Sequence, residues 1–272
     1  MLSFFYGRGG SGACLGRQLA EHLGAKMNPK SGYENDICIF VKKVKKECLP
    51  IPKHSYIQIG DGPRAYEWVK DHPEIGIICD GVTLHKFLTK NLKRDDIVLI
   101  PHHHCNFERV LRTRTEVTTV GIIGSPKIAF QYPIEDIRKR LKDIGLDLKY
   151  EEDYWGYYKE DRQKVVDFYK NIDIQIVWRP NAWSPKYLPF RRPLKLANAG
   201  SFGIPTVAYP EEDYVDEWNG CFISANNIDY LIGSCKELKN NESYYKHFSE
   251  KALYKSVDYH IDHTAKLYLD LK

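Results

Sequence analysis

The chain has 272 residues, of which 43% are hydrophobic, with a formal charge of +4 and an isoelectric point near 8.5. That length fits one large domain or two small ones with a proper core, and no stretch reaches the roughly 18–20 apolar residues of a membrane-spanning helix. So mild a positive charge gives no indication of nucleic-acid binding and suits a protein that handles anionic ligands. The cysteines (Cys14, Cys38, Cys48, Cys79, Cys105, Cys221, Cys235) are scattered, with no Cys-x-x-Cys pair. They read as reduced thiols of a cytoplasmic protein. The opening Met1–Gly7 turns to glycine too early for a secretion signal. The 19 tyrosines and 5 tryptophans offer flat apolar faces with a polar tip, which suit sugars as well as cores.

In chain order, short apolar runs at 2–6, 37–41, 55–59, 76–79 and 97–100 alternate with helix-like stretches at 13–23, 65–70 and 83–91. This is the rhythm of βαβ units and predicts parallel strands. The basic stretch from Lys42 to Lys46 reads as a solvated strand end. A second series follows, with strands predicted at 117–123, 146–150, 172–178, 206–209 and 220–223. Its helices are predicted at 133–144, 161–169 and 194–202. From Ser243 to Leu271 the apolar residues Leu253, Val257, Ile261, Thr264, Tyr268 and Leu271 recur at helical spacing, which predicts one long final helix. The polar stretch 105–116 joins the two series. The chain therefore reads as two Rossmann-like α/β domains, 1–104 and 117–272, facing across a cleft, with the last helix packing back on the first domain. Ligands belong at the strand carboxyl ends of such domains.

Tyr6-Gly-Arg-Gly-Gly-Ser-Gly follows the first strand and opens a helix. Gly7, Gly9 and Gly12 fit G-x-G-x-x-G, whose glycines let a backbone turn tightly and approach a ligand. A dinucleotide site also needs an acidic residue about 20 residues on. Gly24-Ala-Lys-Met-Asn-Pro-Lys30 supplies none there. An NAD(P)-dependent enzyme thus stays an alternative, and the favoured reading is a loop, including Arg8, Gly9 and Gly10, that faces the cleft. A later run, from Arg192 through Lys195, Asn198 and Gly203 to Pro205, reads as a loop, a small-residue helix, a Gly-Ile-Pro turn and a buried strand. Lys195 and Asn198 share a helix face.

Pro193-Leu-Lys195-Leu-Ala-Asn198-Ala-Gly-Ser-Phe-Gly203-Ile-Pro205 resembles the donor-binding element of GT-B glycosyltransferases, and Thr119-Val-Gly-Ile-Ile-Gly124-Ser125 resembles the start of their C-terminal domain. The resemblance implies a nucleotide-sugar donor and a saccharide or other hydroxyl-bearing acceptor. It places Lys195 on the donor diphosphate, Asn198 on the ribose, and Gly124 and Ser125 near the phosphates. Many retaining members carry glutamates at the helix position and eight residues earlier; this chain has Asn198 and Phe190, so a retaining mechanism is not implied. Arg179, at a predicted strand end, and Arg191 and Arg192 supply planar forks suited to phosphate.

An inverting transfer needs a general base in the first domain. Asp61, in Gly60-Asp-Gly62, is the preferred candidate and Asp80, in Asp80-Gly81, the other. The run His102-His-His104 follows the last strand of the first half; adjacent histidines point to opposite faces of extended backbone, so it reads as a cleft-lining loop rather than a metal site. His260 and His263 read as solvated helix-face residues. With no Asp-x-Asp motif, neither an obligatory metal nor a cofactor is expected. A non-catalytic nucleotide-binding protein of the same fold is the remaining alternative.

Overall fold

The computed structural model describes the chain apart from residues 61, 125–129, 152–161 and 182–184, and only the backbone at 185–187. It forms two compact units. The first comprises Met1–His103, Trp183–Arg192 and Ile261–Lys272; the second comprises His104–Ala182 and Pro193–His260. The chain thus passes between units more than once, where a single cut near residue 104 was expected. Phe190 shows why: it is buried in the first unit's core, with its ring near Tyr66 and Phe87.

In the first unit the strands are β1 (Leu2–Phe5), β2 (Lys26–Met27), β3 (Ile37–Val41), β4 (Ser55–Gln58), β5 (Gly76–Cys79) and β6 (Ile97–Leu99). They form one sheet in the order β2-β1-β3-β4-β5-β6, with every pair parallel. A parallel sheet is covered on both faces, which explains why β1, β3 and β5 read as nearly unbroken apolar runs. Phe5, Phe40, Ile57, Ile77, Leu84 and Leu88 build the core. Strand β2 has only two residues and no apolar run, so backbone pairing with β1 makes it a strand, not its side chains.

In the second unit the strands are β7 (Thr119–Ile123), β8 (Asp147–Glu151), β9 (Ile174–Val177), β10 (Thr206–Ala208) and β11 (Ile223–Ser224). Their order is β11-β10-β9-β7-β8, again parallel throughout. The helix Leu194–Ser201 packs against Glu242–Ser256. A methyl group on Gly200 would lie 2.7 Å from the Ala252 carbonyl oxygen, so the contact needs glycine. That helix ends in a Schellman turn. Gly203 has φ +70°, its N–H bonds the Gly200 carbonyl at 2.8 Å, and the Ile204 N–H bonds the Ala199 carbonyl at 3.0 Å.

The single long C-terminal helix expected from the sequence is not formed. Glu242–Ser256 runs into a 3₁₀ turn, Val257–Tyr259, and a separate helix, Ile261–Leu269, follows. Val257, placed on the apolar face by spacing, is 61% exposed. The break has a tertiary cause. The Tyr259 carbonyl accepts from the His104 N–H at 2.8 Å, and the buried His260 ring lies between Arg109 and the Phe107 carbonyl. The Tyr259 carbonyl and the His260 ring are committed to those partners instead of a continuing helix.

Candidate functional site

The strand order of the second sheet reverses between β7 and β9. Connections there leave in opposite directions and open a crevice at the carboxyl ends, the usual ligand position of an open parallel sheet. Three of the residues singled out in the sequence come to these ends. Gly124 follows β7 directly; its φ of +115° favours glycine, and its N–H bonds the Glu151 carbonyl at 2.8 Å. Arg179 follows β9. Lys195 enters from the first turn of the helix Leu194–Ser201. Ser125 and Asp61 lie outside the described residues.

Lys195 is fixed from two strands. Its Nζ donates to the Ile123 carbonyl at the end of β7, at 2.7 Å. Its own carbonyl accepts from Gln175 Nε2 of β9 at 3.0 Å, while Gln175 Oε1 accepts from the Tyr169 hydroxyl at 2.8 Å. Burial, with the Arg179 guanidinium adding to it, pulls the Lys195 pKa down to about 7; Glu211 opposes the shift. An amine near its midpoint at neutral pH takes up a proton when an anion arrives.

Arg179 has less freedom than a simple phosphate clamp. Its Nε and Nη2 donate to the two carboxylate oxygens of Glu211, at 2.6 and 2.7 Å, and Nη2 also reaches the Tyr214 hydroxyl at 3.0 Å. Glu211 is 5% exposed. The paired carboxylate raises the Arg179 pKa despite burial. Sequence reasoning missed Glu211 and Tyr214, yet Glu211 has the signal used for Asp61 and Asp80: a carboxylate just beyond a strand, here β10.

Asn198 is buried, and its Oδ1 accepts from the Cys105 N–H at 2.9 Å. Asn106, next along, bonds the Ser201 carbonyl through Nδ2 at 2.8 Å. The side chain therefore ties the segment after His104 to the helix within the fold.

In the first unit, Arg8 is exposed on the loop after β1 and Gly9 has φ +150°. The helical run 10–23 begins at Gly10. A methyl group on Gly12 would stand 2.0 Å from the Gly7 carbonyl oxygen, so that glycine serves close packing of the helix start on the loop. Asn28 follows β2, where a dinucleotide site has an acid. Its Oδ1 is taken by the Tyr6 N–H at 3.0 Å and by Lys45 Nζ at 2.7 Å.

Asp80 is not placed as a base. It is buried, with Oδ1 2.5 Å from Nε of Arg192. This also takes Arg192 away from the phosphate role its position suggested. The three histidines are buried rather than lining an open loop: His102 is 6%, His103 3% and His104 3% exposed. His103 Nε2 meets Gln18 Oε1 at 3.0 Å, and His102 Nδ1 meets the His103 carbonyl at 2.9 Å. Burial, then His260, pulls the His104 pKa down to about 3, so this ring stays neutral. His260 is buried too, not solvated; its Nε2 donates to the Phe107 carbonyl at 3.1 Å, leaving Nδ1 to accept from Arg109 Nη2 at 3.2 Å. His263 is exposed. Among the described residues no cluster of three metal-binding side chains occurs, and no helix is long and apolar enough to cross a membrane.

No protein-family model matches the chain, and neither does any curated protein. Solved structures do match. A TarM variant from S. aureus, in complex with Fondaparinux, α-GlcNAc-glycerol and UDP, aligns at 14% identity and a TM-score of 0.58 over 86% of this chain and 55% of that one. A glycosyltransferase from Rickettsia africae ESF-5 aligns at 11% and 0.57, over 96% and 79%. An α-glucosyltransferase in complex with UDP-glucose and DNA containing an abasic site aligns at 9% and 0.54, over 99% and 98%. This chain spans about half the length of TarM. At these identities the likeness establishes the fold: two parallel-sheet α/β domains of the GT-B type that glycosyltransferases share.

Proposed function

We propose that the chain transfers a sugar from a nucleotide-sugar donor to a hydroxyl acceptor. The observation that carries the proposal is the meeting of Gly124, Arg179 and Lys195 at the strand-order reversal of the second sheet. On this reading Lys195 binds the donor diphosphate, with Gly124 beside it; Ser125, the next residue in the chain, is the further donor-side candidate. Arg179 supports the pocket while held by Glu211 and Tyr214. Asn198 acts by positioning the segment at Cys105 rather than by reaching the ribose. UDP and UDP-glucose in the TarM and α-glucosyltransferase complexes favour a uridine nucleotide. Arg8, Gly9, Gly10 and the general base Asp61 belong to the acceptor side. With an ammonium available for the diphosphate and no Asp-x-Asp motif in the sequence, the reaction needs neither metal nor cofactor. The protein works in the cytoplasm.

The test is turnover of UDP-sugars in the presence of EDTA, for wild type and Asp61→Asn. Wild type consumes donor, and the amide variant keeps donor affinity but loses roughly 100- to 10,000-fold in turnover, because an amide cannot accept the acceptor's proton. Full activity in Asp61→Asn removes that residue from the mechanism. A wild type that binds UDP but never consumes a UDP-sugar makes this a binding protein.

A further inference from the structure

A second concave site lies wholly within the first unit. Its cavity, of about 840 Å³, opens beside the carboxyl ends of β3 and β4 and is lined by Lys42, Lys43, Lys46, Arg64, Trp68 and His72, among others. The size falls in the range of about 300–1,000 Å³ typical of small-molecule sites. Among the described residues, every charged one in its lining is cationic. Lys43, Lys46 and Arg64 are exposed and make no ion pair among the described residues. Lys42 is set in place by local structure. It directly follows β3 in the left-handed conformation, φ +64°, and its aliphatic stem lies over Gly60, where a methyl group would come within 2.2 Å of Cε. Trp68, on the helix Pro63–Lys70, stacks on the His72 ring at 3.8 Å and 17°.

Concentrated positive charge beside a rigid aromatic pair selects ligands with an anionic group and an apolar face. A sugar ring presents its C–H face to an aromatic surface, and a phosphate or carboxylate on that sugar meets the lysines. We infer that this cavity binds an anionic saccharide, a sugar carrying phosphate or carboxylate, as the acceptor. The acceptor role rests on the glycosyl-transfer reading above; the binding site does not. Single-stranded nucleic acid also uses cations and stacking, but along a track of successive platforms. Here one aromatic pair sits in one cavity.

The test is calorimetry on the full chain with trehalose 6-phosphate and a glucuronic-acid disaccharide, each against its neutral parent, and with inorganic phosphate and an oligothymidylate. At least one anionic disaccharide binds about tenfold or more tighter than both its neutral parent and inorganic phosphate, and its affinity falls with salt. A Lys43→Gln/Lys46→Gln double variant loses about tenfold of that affinity and most of the salt dependence. Trp68→Ala loses the advantage of the disaccharide over phosphate. UDP affinity is unchanged in both variants, which separates failure here from failure of the donor site. The inference is overturned if no anionic disaccharide outbinds its neutral parent, if inorganic phosphate binds as tightly, or if the oligothymidylate is the tightest ligand and the lysine pair weakens it.

Discussion

Lys195 combines a fixed geometry with an unsettled charge. Its Nζ is held on the Ile123 carbonyl, and burial with Arg179 nearby keeps its pKa down to about 7. In the unfolded chain a lysine ionises near 10.4. Between these values the unfolded state binds more protons, so this residue makes stability rise with pH from about 7 to about 10.4. The full cost of its charge is present below pH 7. Donor binding has the opposite dependence, because the diphosphate favours the protonated ammonium. UDP affinity should fall above pH 7, approaching about tenfold per unit while the bound form stays protonated. Calorimetry between pH 7 and 9, in buffers of different ionisation enthalpy, should show net proton uptake. Lys195→Met should abolish that uptake and weaken binding at pH 7 by roughly 1.5–3 kcal/mol. Equal affinity and equal proton uptake in the variant would take Lys195 out of the donor site. The Arg179–Glu211 pair differs, since both groups are already satisfied by each other and by Tyr214.

The helix Leu194–Ser201 brings Lys195 to the strand ends, and its small residues decide how closely it lies. Ala197, Ala199 and Gly200 are buried, and Gly200 sits against the Ala252 carbonyl and the Trp218 ring. A methyl group 2.7 Å from a backbone oxygen cannot be absorbed by a side-chain rotation. Gly200→Ala should cost about 1–3 kcal/mol, as overpacking does, and should weaken UDP binding by displacing Lys195. Denaturant unfolding and calorimetry check the two effects, and unchanged values in both would show that the helices part without consequence. Asp173 has a comparable role at the other end of the sheet. Its Oδ1 accepts from Arg112 Nε at 2.9 Å and its Oδ2 from the backbone N–H groups of Thr118 and Thr119, each at 2.8 Å. The carboxylate is fully buried, so Asp173→Ala should destabilise by about 3–5 kcal/mol. A loss below about 1 kcal/mol in equilibrium unfolding would mean that this anchor is dispensable.

For the whole molecule, the segments Trp183–Arg192 and Ile261–Lys272 belong to the first unit although they come late in the chain. The buried Arg192–Asp80 pair and the Tyr268 hydroxyl bonded to Gln58 Oε1 at 2.6 Å bind both segments into that unit. Removing one member leaves a buried polar group unsatisfied. Asp80→Asn should therefore lower Tm and solubility rather than selectively abolish turnover, whereas Asp61→Asn should do the reverse. A stable, inactive Asp80→Asn would return Asp80 to consideration as the base.

The two parallel sheets were legible in the sequence because their inner strands are buried on both faces and so read as apolar runs between amphipathic stretches; β1, β3, β4, β5 and β7 fall where those runs are. The glycines were legible for a similar local reason, since glycine takes the left-handed turn at Gly203 without strain and leaves room for the close contact at Gly12. Arg179 could be picked out as a basic residue at a strand end, and Lys195 as one on the face of a short small-residue helix. What each of those side chains touches was decided by tertiary structure. Glu211 on Arg179, Cys105 on Asn198, Arg192 on Asp80 and Arg109 on His260 join residues 32, 93, 112 and 151 positions apart, and no local pattern encodes such pairs. The same limit explains the broken C-terminal helix. Periodicity reports which face is apolar, but hydrogen bonds from His104 and Arg109, far off in sequence, stop the helix at Tyr259 and His260.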